Sequence, residues 1–160
     1  DIDIGNCKDD AEAIYTATSD VYKCDKPLPA LVDGSTVNPG YYCQEAATSI
    51  AASVTITLDA KNDRDAKFVF VVGGAFAIGA GVRIVLTNGA NFENIFWVVT
   101  GAATLGANSI FQGTIITGPT AAFTLGADAK IYGRAIVGAA VAMGASSSII
   151  KGAYVSVHSY

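Results

Sequence analysis

The side chains that could do covalent or acid–base chemistry are few in this chain, and their spacing works against it. From Lys67 onward the only acidic residues are Glu93 and Asp128, and the only histidine of the chain is His158. A lyase or glycosidase site groups two carboxylates, or a carboxylate and a base, on one face. No set of nucleophile, base and orienting group can be assembled from these residues, so an enzyme is not expected. His158 reads as a solvated tail residue. The run Asp59-Ala60-Lys61-Asn62-Asp63-Arg64-Asp65 faintly resembles a calcium loop but lacks the central Gly and the terminal Glu, so a charged turn is the better reading. Gly73-Gly74 and Gly79-x-Gly81 do not open a helix after a strand, as a phosphate-cradling loop must. Cys7, Cys24 and Cys43 lack the paired spacing of a zinc site. Neither a metal nor another cofactor is expected.

What remains is the chemistry of a surface, and composition says which kind. The chain has 160 residues, enough for one domain, and half of them are apolar, at 51%. Mean hydropathy is +0.41. Leu is scarce, while Ala, Val, Ile, Gly and Thr dominate, a bias toward strands and tight turns. Every apolar run is broken by Gly, Asn, Asp or Thr well short of the ~18 residues of a membrane span. The net charge of −4, without a basic cluster, argues against nucleic acid and membrane as partners. The chain opens at Asp1 with neither an initiator Met nor a signal peptide, as a processed secreted protein does and as an excised piece would.

Two kinds of element must position that surface. Ala11, Ile14, Tyr15, Thr18, Val21 and Tyr22 recur at helical spacing and predict an amphipathic helix over about 8–22. Asp9, Asp10 and Glu12 in its first turn and Lys23 after its end suit the helix dipole. Such a rod is ~25 Å long, whereas a disulfide tolerates a Cα separation of only about 7 Å. A Cys7–Cys24 bridge is thus disfavoured and Cys24–Cys43 is the preferred pair, with three reduced cysteines as the other reading. Residues 23–46 read as a connecting loop, closing with the turn signal Asn38-Pro39-Gly40.

From about 47 to 157 the sequence repeats. Ala102-Ala103-Thr104-Leu105-Gly106-Ala107 recurs as Ala122-Phe123-Thr124-Leu125-Gly126-Ala127 and as Ala140-Val141-Ala142-Met143-Gly144-Ala145, with Ala75-Phe76-Ala77-Ile78-Gly79-Ala80 as an earlier copy. Further markers follow each: Ile110, Ile131 and Ile149, then Gly113, Gly133 and Gly152. Three short strands per repeat, separated by small-residue corners, predict a right-handed β-solenoid of three faces in a single domain, 1–160. Its long helix is expected to pack along one face.

Strand alternation then assigns the faces. In the first strand of each coil, Phe76/Ile78, Ala103/Leu105, Phe123/Leu125 and Val141/Met143 point inward. Ala75, Ala77, Ala102, Thr104, Ala122, Thr124, Ala140 and Ala142 then point outward as two ladders without a charge. The second strand is read as sending out Phe111, Tyr132 and Ile150, and the third Trp97/Val99, Thr114/Ile116 and Arg134/Ile136. Those large apolar groups call for a cover, and the helix on the Trp97 face is the expected one. The first face needs none. Exposed strands normally carry Lys or Glu against association, so an uncharged Ala/Thr plane is unusual. Its methyls and hydroxyls can hold a water layer that matches a crystal of ice.

Residues 8–157 also resemble a known family, the microbial ice-binding proteins. The matching motifs are Leu31 through Tyr42 (LVDGSTVNPGYY), Thr55 through Ala60 (TITLDA) and Asp63 through Gly73 (DRDAKFVFVVG). Leu86-Thr87-Asn88-Gly89-Ala90, Asn94-Ile95-Phe96-Trp97, the coil Ala103-Thr104-Leu105-Gly106 with Phe111-Gln112-Gly113-Thr114-Ile115, and Tyr132-Gly133-Arg134-Ala135 complete the set. The resemblance implies an irregular right-handed β-solenoid with a long helix beside it. It also implies a secreted antifreeze or ice-recrystallisation inhibitor of a cold-living microbe, adsorbing to ice through its flat uncovered face. A monomer is expected. Family members usually carry a further stretch ahead of the helix, which this chain reaches almost at once. The competing expectation is an extracellular adhesion or matrix module, with Trp97, Phe111 and Tyr132 as the aromatics a glycan would need.

Overall fold

Apolar residues alternating over short runs, separated by Gly, Asn and Asp corners, give a chain that winds in parallel strands. The computed structural model describes residues 26–150 and the backbone strand 154–156. In chain order the strands are β1 (Lys26–Pro27), β2 (Thr36–Val37), β3 (Gly40–Gln44), β4 (Thr48–Ile50), β5 (Thr55–Asp59), β6 (Phe68–Val72), β7 (Phe76–Ile78) and β8 (Arg83–Thr87). There follow β9 (Ile95–Val99), β10 (Ala103–Leu105), β11 (Ile110–Thr117), β12 (Phe123–Leu125), β13 (Lys130–Val137), β14 (Val141–Met143), β15 (Ser148–Ile150) and β16 (Tyr154–Ser156).

All pairings among them are parallel and join strands one coil apart. One sheet, β4-β7-β10-β12-β14, forms the first face. The other sheet has eleven strands and is folded into two faces, because β11 and β13 each turn a corner in mid-strand. Their first halves join β2, β5, β8 and β15 on the second face, and their second halves join β9 and β16 on the third. The corner falls at Gly113 and Gly133, with φ of 109° and 146°. A Cβ at Gly133 would stand 2.1 Å from the Gly113 carbonyl oxygen. Only glycine lets two coils turn there in contact.

Inside, the coils stack like on like. Ile50, Ile78, Leu105 and Leu125 form one buried column. Phe70 and Trp97 stack at 4.0 Å, with Tyr42, Phe76 and Phe111 ranged about them at 5.2–5.6 Å. The Trp97 indole N–H donates to the Gln112 carbonyl at 3.1 Å, so its one polar atom is satisfied in the interior.

Several sequence expectations need correction. Among the described residues there is no α-helix, only a 3-10 turn at Phe92–Asn94. Over the described residues the fold is therefore all-β and parallel, and the long helix expected of the fold class is not among its parts. The segment 8–22 lies outside the described residues. Some of the supposed loop 23–46 is already solenoid, since β1 and β3 pair with their neighbours on the third face and β2 with β5 on the second. Trp97, Val99 and Phe111 point inward and are at most 1% exposed. The cause is register: Phe111, not Ile110, stands beside Ile131, and Trp97 stands beside Ile115. A slip of one residue inverts a strand's faces. Tyr132 and Ile150 do share an outward position, as do Thr114 and Arg134. On the third face Val69, Val98 and Ile116 lie outside the interior cluster yet are buried, so that face is not open.

Candidate functional site

The first face is built from three-residue strands whose central side chain is exposed between two inward ones. That pattern is buried–exposed–buried in β7, β10 and β12. Parallel register puts Ser49, Ala77, Thr104, Thr124 and Ala142 in one row, each beside the next. A second row precedes it, tied by backbone bonds from Thr48 N–H to Ala75 O at 2.9 Å, Phe76 N–H to Ala102 O at 3.0 Å, Ala103 N–H to Ala122 O at 3.0 Å and Phe123 N–H to Ala140 O at 2.9 Å. Ala75, Ala77, Ala102, Thr104, Ala122, Thr124, Ala140 and Ala142 are all exposed and stand in the two rows expected for them.

Neither row contains a titratable group. Parallel strands lie about 4.8 Å apart, and alternate residues along a strand are about 6.6 Å apart. Five rungs thus give a lattice of methyls and hydroxyls roughly 19 Å long, and the rung spacing is close to the shortest repeat of hexagonal ice.

A glycine directly follows each of β7, β10, β12 and β14. A Cβ at Gly79, Gly106, Gly126 or Gly144 would lie 2.4–2.5 Å from a backbone nitrogen of the preceding coil. These four positions let successive coils close on each other at one level. Beyond them the chain turns through Ser53, Gly81, Asn108, Asp128 and Ser146, all at φ between 57° and 70°. Ser109 and Ser147 brace two of the corners, each hydroxyl donating to a carbonyl three residues back at 2.7 Å. The one charge in that column, Asp128, stands on the margin and not among the rows.

Sequence reasoning missed the rung supplied by β4, where Ala47 and Ser49 are exposed beside Ala75 and Ala77. The signal was Thr48-Ser49-Ile50 with an inward Ile50. It was masked because Ala51 stands where later coils have glycine and Thr48 where they have a larger inward residue or Ala103. As for the cysteines, Cys43 is disulfide-bonded, and both other cysteines lie outside the described residues.

Among the described residues most charge is gathered on the loops and the second face. Asp59 accepts from the Lys61 backbone N–H and from the Asn88 side chain, both at 2.8 Å, and pairs with the Lys61 ammonium at 3.1 Å. The backbone bond first, then the Asn88 amide, hold its carboxyl below the ordinary value of 3.8. The Tyr42 hydroxyl donates to the Asn38 carbonyl at 2.8 Å, and burial pushes its pKa up.

Known proteins share the fold and part of the sequence. Residues 2–149 match the model of a family described as ice-binding-like. Ice-binding protein 1 of Shewanella frigidimarina is 38% identical over 88 residues, 54% of this chain and 10% of that protein. An ice-binding protein of Flavobacterium frigoris is 35% identical over 86 residues, 54% of this chain and 30% of that one. The matches therefore span less than a third of these relatives' own lengths. Among solved structures, an ice-binding protein of the Antarctic ascomycete Antarctomyces psychrotrophicus superposes with a TM-score of 0.76 at 27% identity, covering 95% of this chain and 70% of that one. Another, from an Antarctic biological consortium, does so at 0.82 and 25% identity, covering 92% and 65%.

Proposed function

This chain belongs to the ice-binding-like family, and from that premise we propose that it adsorbs to ice through its first face. Adsorption there would depress the freezing point and inhibit recrystallisation. The observation that carries the reading is the pair of exposed, uncharged, in-register rows running from Ala47 and Ser49 to Ala140 and Ala142.

Methyls at lattice spacing order water over themselves without gripping it, while the Ser49, Thr104 and Thr124 hydroxyls anchor that layer at fixed points. Because the rows sit on hydrogen-bonded rungs over a packed interior, the layer forms without ordering the protein first, and little entropy is lost on adsorption. An adsorbed molecule forces the ice front to bulge between neighbours, and a curved front melts at a lower temperature than a flat one. Nothing in this action needs a catalytic group, a metal or a cofactor, so the proposal is of a non-enzymatic surface.

The chain is proposed to work outside the cell, a reading supported by the disulfide at Cys43. Cys24 is the proposed partner of Cys43. A glycan-binding adhesion role has lost support, because two of its three aromatics, Trp97 and Phe111, are interior residues. The test is thermal hysteresis together with crystal shape in a supercooled drop. The proposal expects faceted crystals held between separate melting and growth temperatures. Rounded crystals growing at the melting point, from a chain that circular dichroism shows to be folded, would refute it.

A further inference from the structure

Asn88 is followed by Gly89, the one Asn-Gly pair in the chain. The pair forms the turn after β8, with φ of 50° and 86° and the Ala90 N–H donating to the Thr87 carbonyl at 3.1 Å. Positive φ at both central residues is the I′ form that Asn-Gly favours. Both residues are exposed, and among the described residues nothing accepts a hydrogen bond from the Gly89 N–H. Even a Cβ at Gly89 would meet nothing nearer than Arg64 Cγ at 3.5 Å. An unshielded backbone nitrogen thus stands within a five-membered ring's reach of the Asn88 carboxamide carbon.

Hydrogen bonds hold the turn away from that ring. In an I′ turn the nitrogen of the second residue points away from the side chain of the first. Bringing it back means rotating the Asn88–Gly89 peptide. That rotation breaks the Ala90 bond to Thr87 and swings the Asn88 carbonyl off the Asn62 N–H, which donates to it at 2.9 Å. The carboxamide is tied as well, since its Nδ2 donates to Asp59 Oδ1 at 2.8 Å. Asp59 is in turn fixed by the Lys61 N–H at 2.8 Å.

We propose that Asn88 is a modification site, deamidated through a cyclic imide when this corner opens, and that the hydrogen bond to Asp59 restrains the reaction. Base removes the Gly89 N–H proton, and the nitrogen attacks Asn88 Cγ. The N–Cγ bond forms and the Cγ–Nδ2 bond breaks, Nδ2 leaving as ammonia with a proton from water. Water then opens the ring. Cleavage of the Gly89 N–Cγ bond leaves aspartate, and cleavage of the bond from Gly89 N to the Asn88 carbonyl carbon leaves isoaspartate. Amide and water become acid and ammonia, with nothing oxidised or reduced. Either product sets a carboxylate against Asp59, replacing a hydrogen bond with a like charge. Isoaspartate also lengthens the main chain by one methylene where Asn62 and Ala60 donate across to the preceding turn's neighbours Asn88 and Thr87. The turn lies between the second and third faces, so the rows of the first face are untouched.

The experiment uses no ice, so the ice-binding reading is not at stake. The 160-residue chain is held in warm, mildly alkaline buffer, and its digests are followed by peptide mass and isoaspartyl methylation. Position 88 is expected to exchange amide for acid before every other asparagine, with isoaspartate the larger product, and several-fold more slowly than in the urea-unfolded chain. Asp59→Ala should speed position 88 several-fold and leave Asn108 as slow as before. Asp59→Asn keeps an acceptor at Oδ1 and should stay near the wild-type rate. An unchanged position 88 while the unfolded chain converts, or an earlier change at another asparagine, would overturn the site. Equal acceleration of Asn88 and Asn108 in Asp59→Ala, or none at Asn88, would overturn the role given to Asp59.

Discussion

Hydroxyls stand at only three of the ten positions in the two rows, at Ser49, Thr104 and Thr124, whereas a methyl stands at every position except Ser49. If the ordered layer is held chiefly by methyls, removing methyls should cost more than removing hydroxyls. Thr104→Ser with Thr124→Ser deletes two methyls and keeps both hydroxyls. At about 0.8 kcal/mol for each such group withdrawn from water, the pair loses about 1.6 kcal/mol of adsorption free energy. That is roughly a fifteen-fold weaker partition to ice. Thr104→Val with Thr124→Val keeps both branches as methyls and deletes two hydroxyls that stay largely hydrated in either state. Each contributes at most the ~1 kcal/mol net of an ordinary hydrogen bond, and less where the replaced partner is also water. The valine pair keeps the β-branch that favours strands and the serine pair gives it up, while both leave the buried columns untouched, so melting temperature serves as the control for any loss of fold. Thermal hysteresis against concentration is the assay. The serine pair should need an order of magnitude more protein for equal hysteresis, and the valine pair less than a few-fold more. The opposite order, with valine inactive and serine intact, would refute the reasoning and make hydroxyl matching the source of adhesion.

Other predictions follow from the scaffold. Gly106→Ala places a Cβ 2.4 Å from the Ala80 nitrogen and must push neighbouring coils apart, so both melting temperature and hysteresis should fall. Gly34→Ala meets nothing within 4 Å and bears only the cost of a positive φ, about 1 kcal/mol, so calorimetry with ice shaping should show a small drop in melting temperature and unchanged hysteresis. Trp97→Ala removes the centre of the aromatic stack and should cost about 3–5 kcal/mol in denaturant unfolding. Asp59 has a depressed pKa, so the stability its carboxylate lends is present above the ordinary value of 3.8 and lost as pH falls through the lowered one. Asp59→Asn should therefore flatten the acid limb of the stability curve. Tyr42 has a raised pKa, so its share is present below 10.0 and lost as pH rises through the folded value. Hysteresis itself should be flat between about pH 5 and about pH 9, because the rows contain nothing that titrates.

The first face was legible in the sequence because its register is marked. Gly106, Gly126 and Gly144 tie each three-residue strand to the next, so alternation around Leu105, Leu125 and Met143 could be counted from a fixed point. The second and third faces share a marker, Gly113 beside Gly133, but setting Ile110 against Ile131 put the strands one residue off it. Ile110 and Phe111 are both large and apolar, and only the pairing of Ile110 with Lys130 tells which one is inside. Around Trp97 the run Ile95–Val99 is apolar at every position, so period 2 cannot be read from it; burial on both sides produces that pattern. β1 and β2 are two residues long, too short to alternate at all, and hid in a Pro- and Gly-rich stretch. Ala47 and Ser49 escaped for want of a glycine after Ile50.

The central claim is that the first face, and no other, touches ice. Ice-affinity partitioning tests it directly, comparing Thr104→Tyr/Thr124→Tyr with Val85→Tyr, which sets the same ring on the exposed second face. A phenol ring stands roughly 6 Å above a plane of methyls, enough to hold a crystal off most of five rungs. The account predicts that the double variant stays in the liquid while Val85→Tyr enters the ice with the wild type. Exclusion of Val85→Tyr, with the double variant frozen in, would contradict it.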